Sequence, residues 1–170
     1  ELCQGRILDS VYIGGGTPTT LESGQLDRLL TRLKELFDFG TVKELTVEAG
    51  RADSITEEKL RVLYRHGVTR ISVNPQTMKQ ETLDIIGRRA SVAQVEEAYA
   101  LARKVGFDNI NMDLILGLPG ELEEDVQRTV DRVVELAPDS LTVHSLAIKR
   151  ASRLNQWIQE NGVAMLHNTD

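Results

Sequence analysis

Short β-branched runs alternate along the chain with longer segments of helical period. Ser10-Val11-Tyr12-Ile13 leads into a glycine cluster, after which Leu26, Leu29, Leu30, Leu33 and Leu36 recur at three and four and predict one apolar helix face. Residues 43–48 read as a second strand. Thr56 before Glu57 and Glu58 reads as a capped helix start leading to Leu60, Leu63 and Tyr64, with Gly67 placed to stop it. A third strand is expected over 70–74, a short helix over 78–86, and a longer helix over 92–105 ending at Gly106. Residues 109–116 predict a fourth strand and 121–136 a helix with Val126, Val130, Val133 and Val134 inward. Residues 140–146 predict a fifth strand, and Leu154, Trp157 and Ile158 one more helix.

Strand–helix alternation predicts parallel strands joined by right-handed crossovers, in a barrel or an open sheet. An eight-unit barrel usually needs ~250 residues, so about five units make either an open sheet or part of a larger barrel. The strand faces add a constraint, because a strand buried on both sides should be almost continuously apolar. Here Thr46 and Glu48, Ser72 and Asn74, Asn111 and Asp113, and Thr142 and His144 alternate with Leu45 and Val47, Ile71 and Val73, Ile110 and Met112, and Leu141 and Val143. One face should therefore pack on helices while the other lines something wet or ligand-filled. The polar groups crowd towards the C-terminal strand ends, where such folds place their sites. Each of them also has a plainer use, satisfying loop amides.

Composition narrows the classes. The chain has 170 residues and a net charge of −6, and its cations are scattered among acids, so the basic footprint of a nucleic-acid binder is missing. Cys3 is the single cysteine, which excludes an intramolecular disulfide, a cysteine zinc finger and a self-contained iron–sulfur site. No run resembles a signal peptide or a membrane span; the expectation is a cytoplasmic protein without membrane or nucleic-acid partners.

Several positions carry candidate chemistry. Gly14-Gly15-Gly16-Thr17-Pro18 follows the first strand; its glycines permit positive φ and close backbone approach, serving as a turn or as a ligand cradle. It lacks the dinucleotide-binding spacing. Asp113 sits in an apolar strand, where a carboxylate needs a pair or a ligand; Arg70 or Arg88 could pair with it. Glu48 poses the same choice, with loop capping as the alternative. Asn74-Pro75-Gln76 brings side-chain amides able to donate and accept. Arg88 and Arg89 read as a solvated pair or a carboxylate clamp. His144 could be core filler, metal ligand or proton donor, and with the other histidines at 66 and 167 no metal constellation forms.

The ordered strings VYIGGGTPTTL, VEAG, RISVNPQT, IIGRRAS, NINMDLILGLPG and DSLTVHSLAI resemble the radical S-adenosylmethionine enzymes, and within them the oxygen-independent coproporphyrinogen III oxidases, coproporphyrinogen dehydrogenase subgroup. The resemblance spans residues 9–150. It implies an α/β fold that is a partial, open TIM-type barrel of parallel units, S-adenosylmethionine as cofactor, and a [4Fe-4S] cluster held by a CxxxCxxC loop. It implies oxidative decarboxylation of porphyrinogen propionates to vinyls in haem biosynthesis, with an electron donor as partner. In matching positions Gly14, Gly15 and Gly16, with Thr17 beside them, would meet the methionine amino group, while Glu48, Gln76, Arg88 and Asp113 would contact the methionine carboxylate and ribose.

The sequence departs from the family in carrying no CxxxCxxC, in having Asn74-Pro75 where many relatives have Gly-Val, and in having Ala49-Gly50 where a polar residue and proline are usual. The expectation is an internal piece of a longer protein. Residues 1–150 would be a barrel core lacking its first unit and its cluster cysteines, and 151–170 the start of a truncated C-terminal segment. Such a piece should be inactive alone and should self-associate through an exposed sheet edge. A haem-binding chaperone on the same barrel, or a radical enzyme with another substrate, is the alternative function.

Overall fold

The computed structural model describes residues 7–147 and 153–162. Five parallel strands lie in sequence order in one open sheet: β1 (Ser10–Ile13), β2 (Glu44–Glu48), β3 (Arg70–Ser72), β4 (Ile110–Leu116) and β5 (Ser140–Ser145). The helices are α1 (Ser23–Leu36), α2 (Glu57–Arg65), α3 (Gln80–Ile85), α4 (Val92–Val105), α5 (Glu123–Leu136) and α6 (Arg153–Asn161). The expected α/β architecture, an open run of parallel β/α units, is the one observed.

Local chemistry sets the helix ends. Thr56 Oγ1 accepts from the Lys59 N–H at 3.3 Å at the start of α2. Ser91 and Gln94 exchange backbone and side-chain hydrogen bonds at the start of α4, satisfying amide groups that the helix itself leaves open. α4 stops at Gly106, whose φ of +120° suits a residue without a Cβ.

The core lies on one face of the sheet. Leu45, Val47, Ile71, Ile110, Met112 and Leu114 are buried there against Leu26 and Leu30 of α1, Leu60 and Leu63 of α2, and Val95 and Ala102 of α4. Hydrophobic burial on that face holds the strands together, while the other face keeps its polar side chains, as the alternation predicts.

Cover runs out at the fifth strand. Val134 is 67% exposed rather than inward, and Leu141 and Val143 are 43% and 50% exposed although they belong to the apolar set. Val133 is the one fully buried residue that α5 adds to the hydrophobic cluster, with Val130 and Leu136 partly buried against it, so among the described residues the cover over β5 is incomplete. β3 is shorter than expected, and α5 begins two residues later than expected, which leaves Glu121 buried in the preceding loop.

Candidate functional site

The polar face of the sheet borders a half-open cavity of about 280 Å³, lined by Tyr12 of β1, Thr46 of β2, Arg70 and Ser72 of β3, Asn111 and Asp113 of β4, and Thr142 and His144 of β5. Every strand thus reaches a common space, because side chains two apart on a strand share a face.

The glycine turn and the end of β2 are tied together. Glu48 Oε2 accepts from the Gly15 N–H at 3.1 Å and from the Tyr12 hydroxyl at 3.3 Å. Gly15 and Gly16 have φ of +81° and +62°, a region open to glycine and strained for most side chains. A Cβ on Gly14 would run into the Tyr12 ring and stand 2.9 Å from Glu48 Oε2. Glu48 does therefore serve a loop amide, that of the turn after β1. Burial and the adjacent Glu48 carboxylate push the Tyr12 phenol up, so it stays a donor.

Asp113 pairs with neither arginine in the described structure. Its Oδ1 accepts from Asn111 Nδ2 at 2.6 Å; Arg70 instead reaches Asn111 Oδ1 and Ser140, with Glu44 at 3.7 Å. Arg88 donates to the Gly50 carbonyl at 3.3 Å, just beyond β2. Burial first, and then the nearby Arg51, pull the Arg88 guanidinium below its ordinary value against the opposing Asp53, Glu48 and Asp113 carboxylates.

Glu48 thus ends β2 and the glycine turn follows β1, Asp113 lies midway along β4, and Arg88 stands between α3 and α4 and reaches the loop after β2. Gln76 is buried and lines a separate small cavity with Leu114 and Ile115. Thr17 precedes the turn Pro18–Thr20, and its carbonyl accepts from the Thr20 hydroxyl at 2.7 Å. His144 is exposed on the lumen side, so it is not core filler. His66 closes α2 with its Nε2 2.8 Å from Asp27 Oδ1; Cys3 and His167 lie outside the described residues. Among the described residues no group of three or more His, Cys, Asp or Glu side chains is placed to hold a metal ion, and no helix is long and apolar enough to cross a membrane.

The two departures from the family pattern touch one another. A Cβ on Gly50 would lie 3.2 Å from Asn74 Nδ2 and 3.3 Å from Glu48 Oε1, so the glycine makes room for the asparagine. Among the described residues Asn74 Oδ1 and Ser72 Oγ are buried without a hydrogen-bond partner, an arrangement that costs free energy unless an ordered water or a ligand supplies the partner. Sequence spacing gave no sign of this pairing, since the two residues belong to different strand ends.

An open sheet of parallel β/α units, with one polar face and one face packed on helices, defines an α/β barrel-type protein. Comparison with known proteins narrows that class. The radical SAM superfamily model matches residues 2–133, and the chain belongs to this superfamily. It is 47% identical over 148 residues to an oxygen-independent coproporphyrinogen-III oxidase-like protein, HemZ, of Bacillus subtilis, covering 86% of this chain and 30% of that protein. It is 39% identical to the heme chaperone HemW of Lactococcus lactis, covering 84% of this chain and 37% of that protein. The structure of coproporphyrinogen III oxidase (HemN) from Escherichia coli, described as a radical SAM enzyme, superposes with a TM-score of 0.82 at 30% identity, covering 92% of this chain and 36% of that one. The chain therefore spans about a third of the length of these relatives. The expected membership in the HemN-like branch stands, with both oxidases and haem chaperones among its relatives.

Proposed function

We propose that the chain is the cofactor-binding core of an oxygen-independent coproporphyrinogen III oxidase-like enzyme, decarboxylating porphyrinogen propionates to vinyl groups. The observation that carries this reading is the joining of Gly15 to Glu48, with Arg88 held at the Gly50 carbonyl just beyond Glu48 and the Asp113 carboxylate on the lumen face.

S-adenosylmethionine presents an ammonium group, a carboxylate and two ribose hydroxyls, and this donor set suits it. Gly14, Gly15, Gly16 and Thr17 would lie against the methionine amino group. Arg88 would clamp the carboxylate, a geometry guanidinium groups favour. Asp113 would accept the ribose hydroxyls, with Glu48 and Gln76 completing the contacts. Unpartnered Ser72 Oγ and Asn74 Oδ1 leave polar capacity for the ligand. Bound next to a reduced iron–sulfur cluster, the cofactor supplies hydrogen-atom abstraction. The chain's single cysteine cannot hold such a cluster, so the cysteines would come from sequence beyond this chain, and an electron donor would complete the system.

The second reading, a haem-binding chaperone, is favoured by the 39% identity to a heme chaperone. The intact protein, reconstituted anaerobically and supplied with S-adenosylmethionine, a one-electron reductant to cleave it, coproporphyrinogen III and an electron acceptor for the electron the substrate radical gives up, decides between them. Release of carbon dioxide with formation of vinyl product is expected. Stoichiometric haem binding without decarboxylation would overturn the oxidase reading.

A further inference from the structure

The polar residues on the lumen face of β4 and β5 form a directed network ending at Asp113. Asn111 Oδ1 receives three donors: Arg70 Nη2 at 3.1 Å, the Ser140 hydroxyl at 2.9 Å and the Thr142 hydroxyl at 3.2 Å. The two hydroxyls could accept as well as donate, but exchanging the amide oxygen and nitrogen would turn an N–H group onto the Arg70 guanidinium and the oxygen onto the Asp113 carboxylate, so these two charged groups fix the orientation. Nδ2 is thereby turned along β4 to Asp113 Oδ1, 2.6 Å away. Asn111 is 5% exposed, so a rotated amide would find little water to compensate for lost partners.

We infer that Asn111 is a positioning residue that fixes the Asp113 carboxylate, and that Arg70 sets its direction while Ser140 and Thr142 brace its oxygen. One carboxylate oxygen is occupied by the Asn111 N–H, and the carboxylate plane is thereby defined before any ligand arrives. The other oxygen makes no hydrogen bond among the described residues and is left to face the 280 Å³ lumen that Asp113 lines. Preorganisation of this kind removes the ordering cost that a freely rotating carboxylate would bring to binding. Arg70 acts at one remove; its guanidinium holds the Asn111 oxygen while Glu44, 3.7 Å from Nη1, offsets its charge.

This role rests on the reading of Asp113 as a ribose-binding group, and the two are separable. In the intact reconstituted protein, binding of S-adenosylmethionine and of its 2′,3′-dideoxyribose analogue is measured by titration calorimetry for wild type, Asn111→Ala, Asp113→Ala and the double variant. Thermal melts monitor the fold, and the milder Thr142→Val variant backs up Asn111→Ala if that substitution does not fold. Asn111→Ala should weaken S-adenosylmethionine binding about tenfold, the scale of one charge-assisted hydrogen bond. The dideoxy analogue should be little affected, and adding Asn111→Ala to Asp113→Ala should cost almost nothing more. Equal losses for both ligands, or additive losses in the double variant, would overturn the positioning role. An Asp113→Ala variant that binds both ligands as wild type does would instead overturn the ribose reading itself.

Discussion

Gln76 joins Leu114 in a parallel bridge beyond the end of β3. Its N–H donates to the Asp113 carbonyl and its carbonyl accepts from the Ile115 N–H, both at 2.9 Å. The bridge holds Gln76 at a φ of +69°, where a side chain is strained, and it joins the backbones of two residues proposed to contact the cofactor. Strain retained against a fixed partner is a feature of ligand sites.

Replacing Gln76 separates backbone from side chain. Gln76→Gly relieves the positive φ, whereas Gln76→Val adds a β-branched residue there. Denaturant unfolding should place the valine variant about 1–3 kcal/mol below the glycine variant, while both lose affinity for S-adenosylmethionine. Equal stabilities would show that the bridge does not enforce the conformation.

Gly14→Ala should weaken cofactor binding by displacing the Tyr12 ring and the Glu48 carboxylate, which a Cβ there would crowd. The ring is largely exposed and free to move, so the melting temperature should change little. Calorimetric titration of the variant with S-adenosylmethionine is the check, and unchanged affinity would detach the glycine turn from the ligand.

Two carboxyl groups flanking the start of α5 give stability opposite pH slopes. Lys79, the Leu122 N–H and Arg128 hold Asp125 down from its ordinary 3.8 to about 2, with Lys79 Nζ at 2.8 Å. Its stabilising contribution is present above pH 3.8 and is lost as pH falls towards 2. Burial pushes Glu121 above its ordinary 4.5 despite the hydrogen bond from Thr77, so the folded state loses stability as pH rises from that value through the raised one. Asp125→Asn should flatten the acid limb of a stability–pH curve, and Glu121→Gln should raise the neutral limb. Unfolding free energies across pH 2–8 test both signs.

The 170-residue chain alone should associate as its concentration rises. Among the described residues β1 is an edge strand that pairs only with β2, Tyr12 is 65% exposed, and the outer face of β5 carries exposed Leu141 and Val143. Unpaired edges and apolar patches recruit partners. Sedimentation over a wide concentration range should show a rising mass, and a strict monomer throughout would count against both surfaces.

The order of elements, the parallel sheet and the polar lumen face were legible in the sequence because they rest on local repeats. Helices show apolar residues at three and four, strands alternate at two, and glycines and caps mark the ends. Pairing across strands was not legible. Arg70 and Arg88 were plausible partners for Asp113, yet Asp113 takes Asn111, two places away on the same face of its own strand, and Arg70 crosses to Asn111 and Ser140. Register between strands decides which polar groups meet across them, and no periodicity within one strand contains that information. The same holds for Gly50, whose missing Cβ leaves room for Asn74. It holds also for Val134, Leu141 and Val143, whose apolar character predicts burial that only a covering layer can provide. Local hydrophobic and hydrogen-bonding preferences determine the elements, while the partners of a buried polar group depend on geometry between residues far apart in the chain.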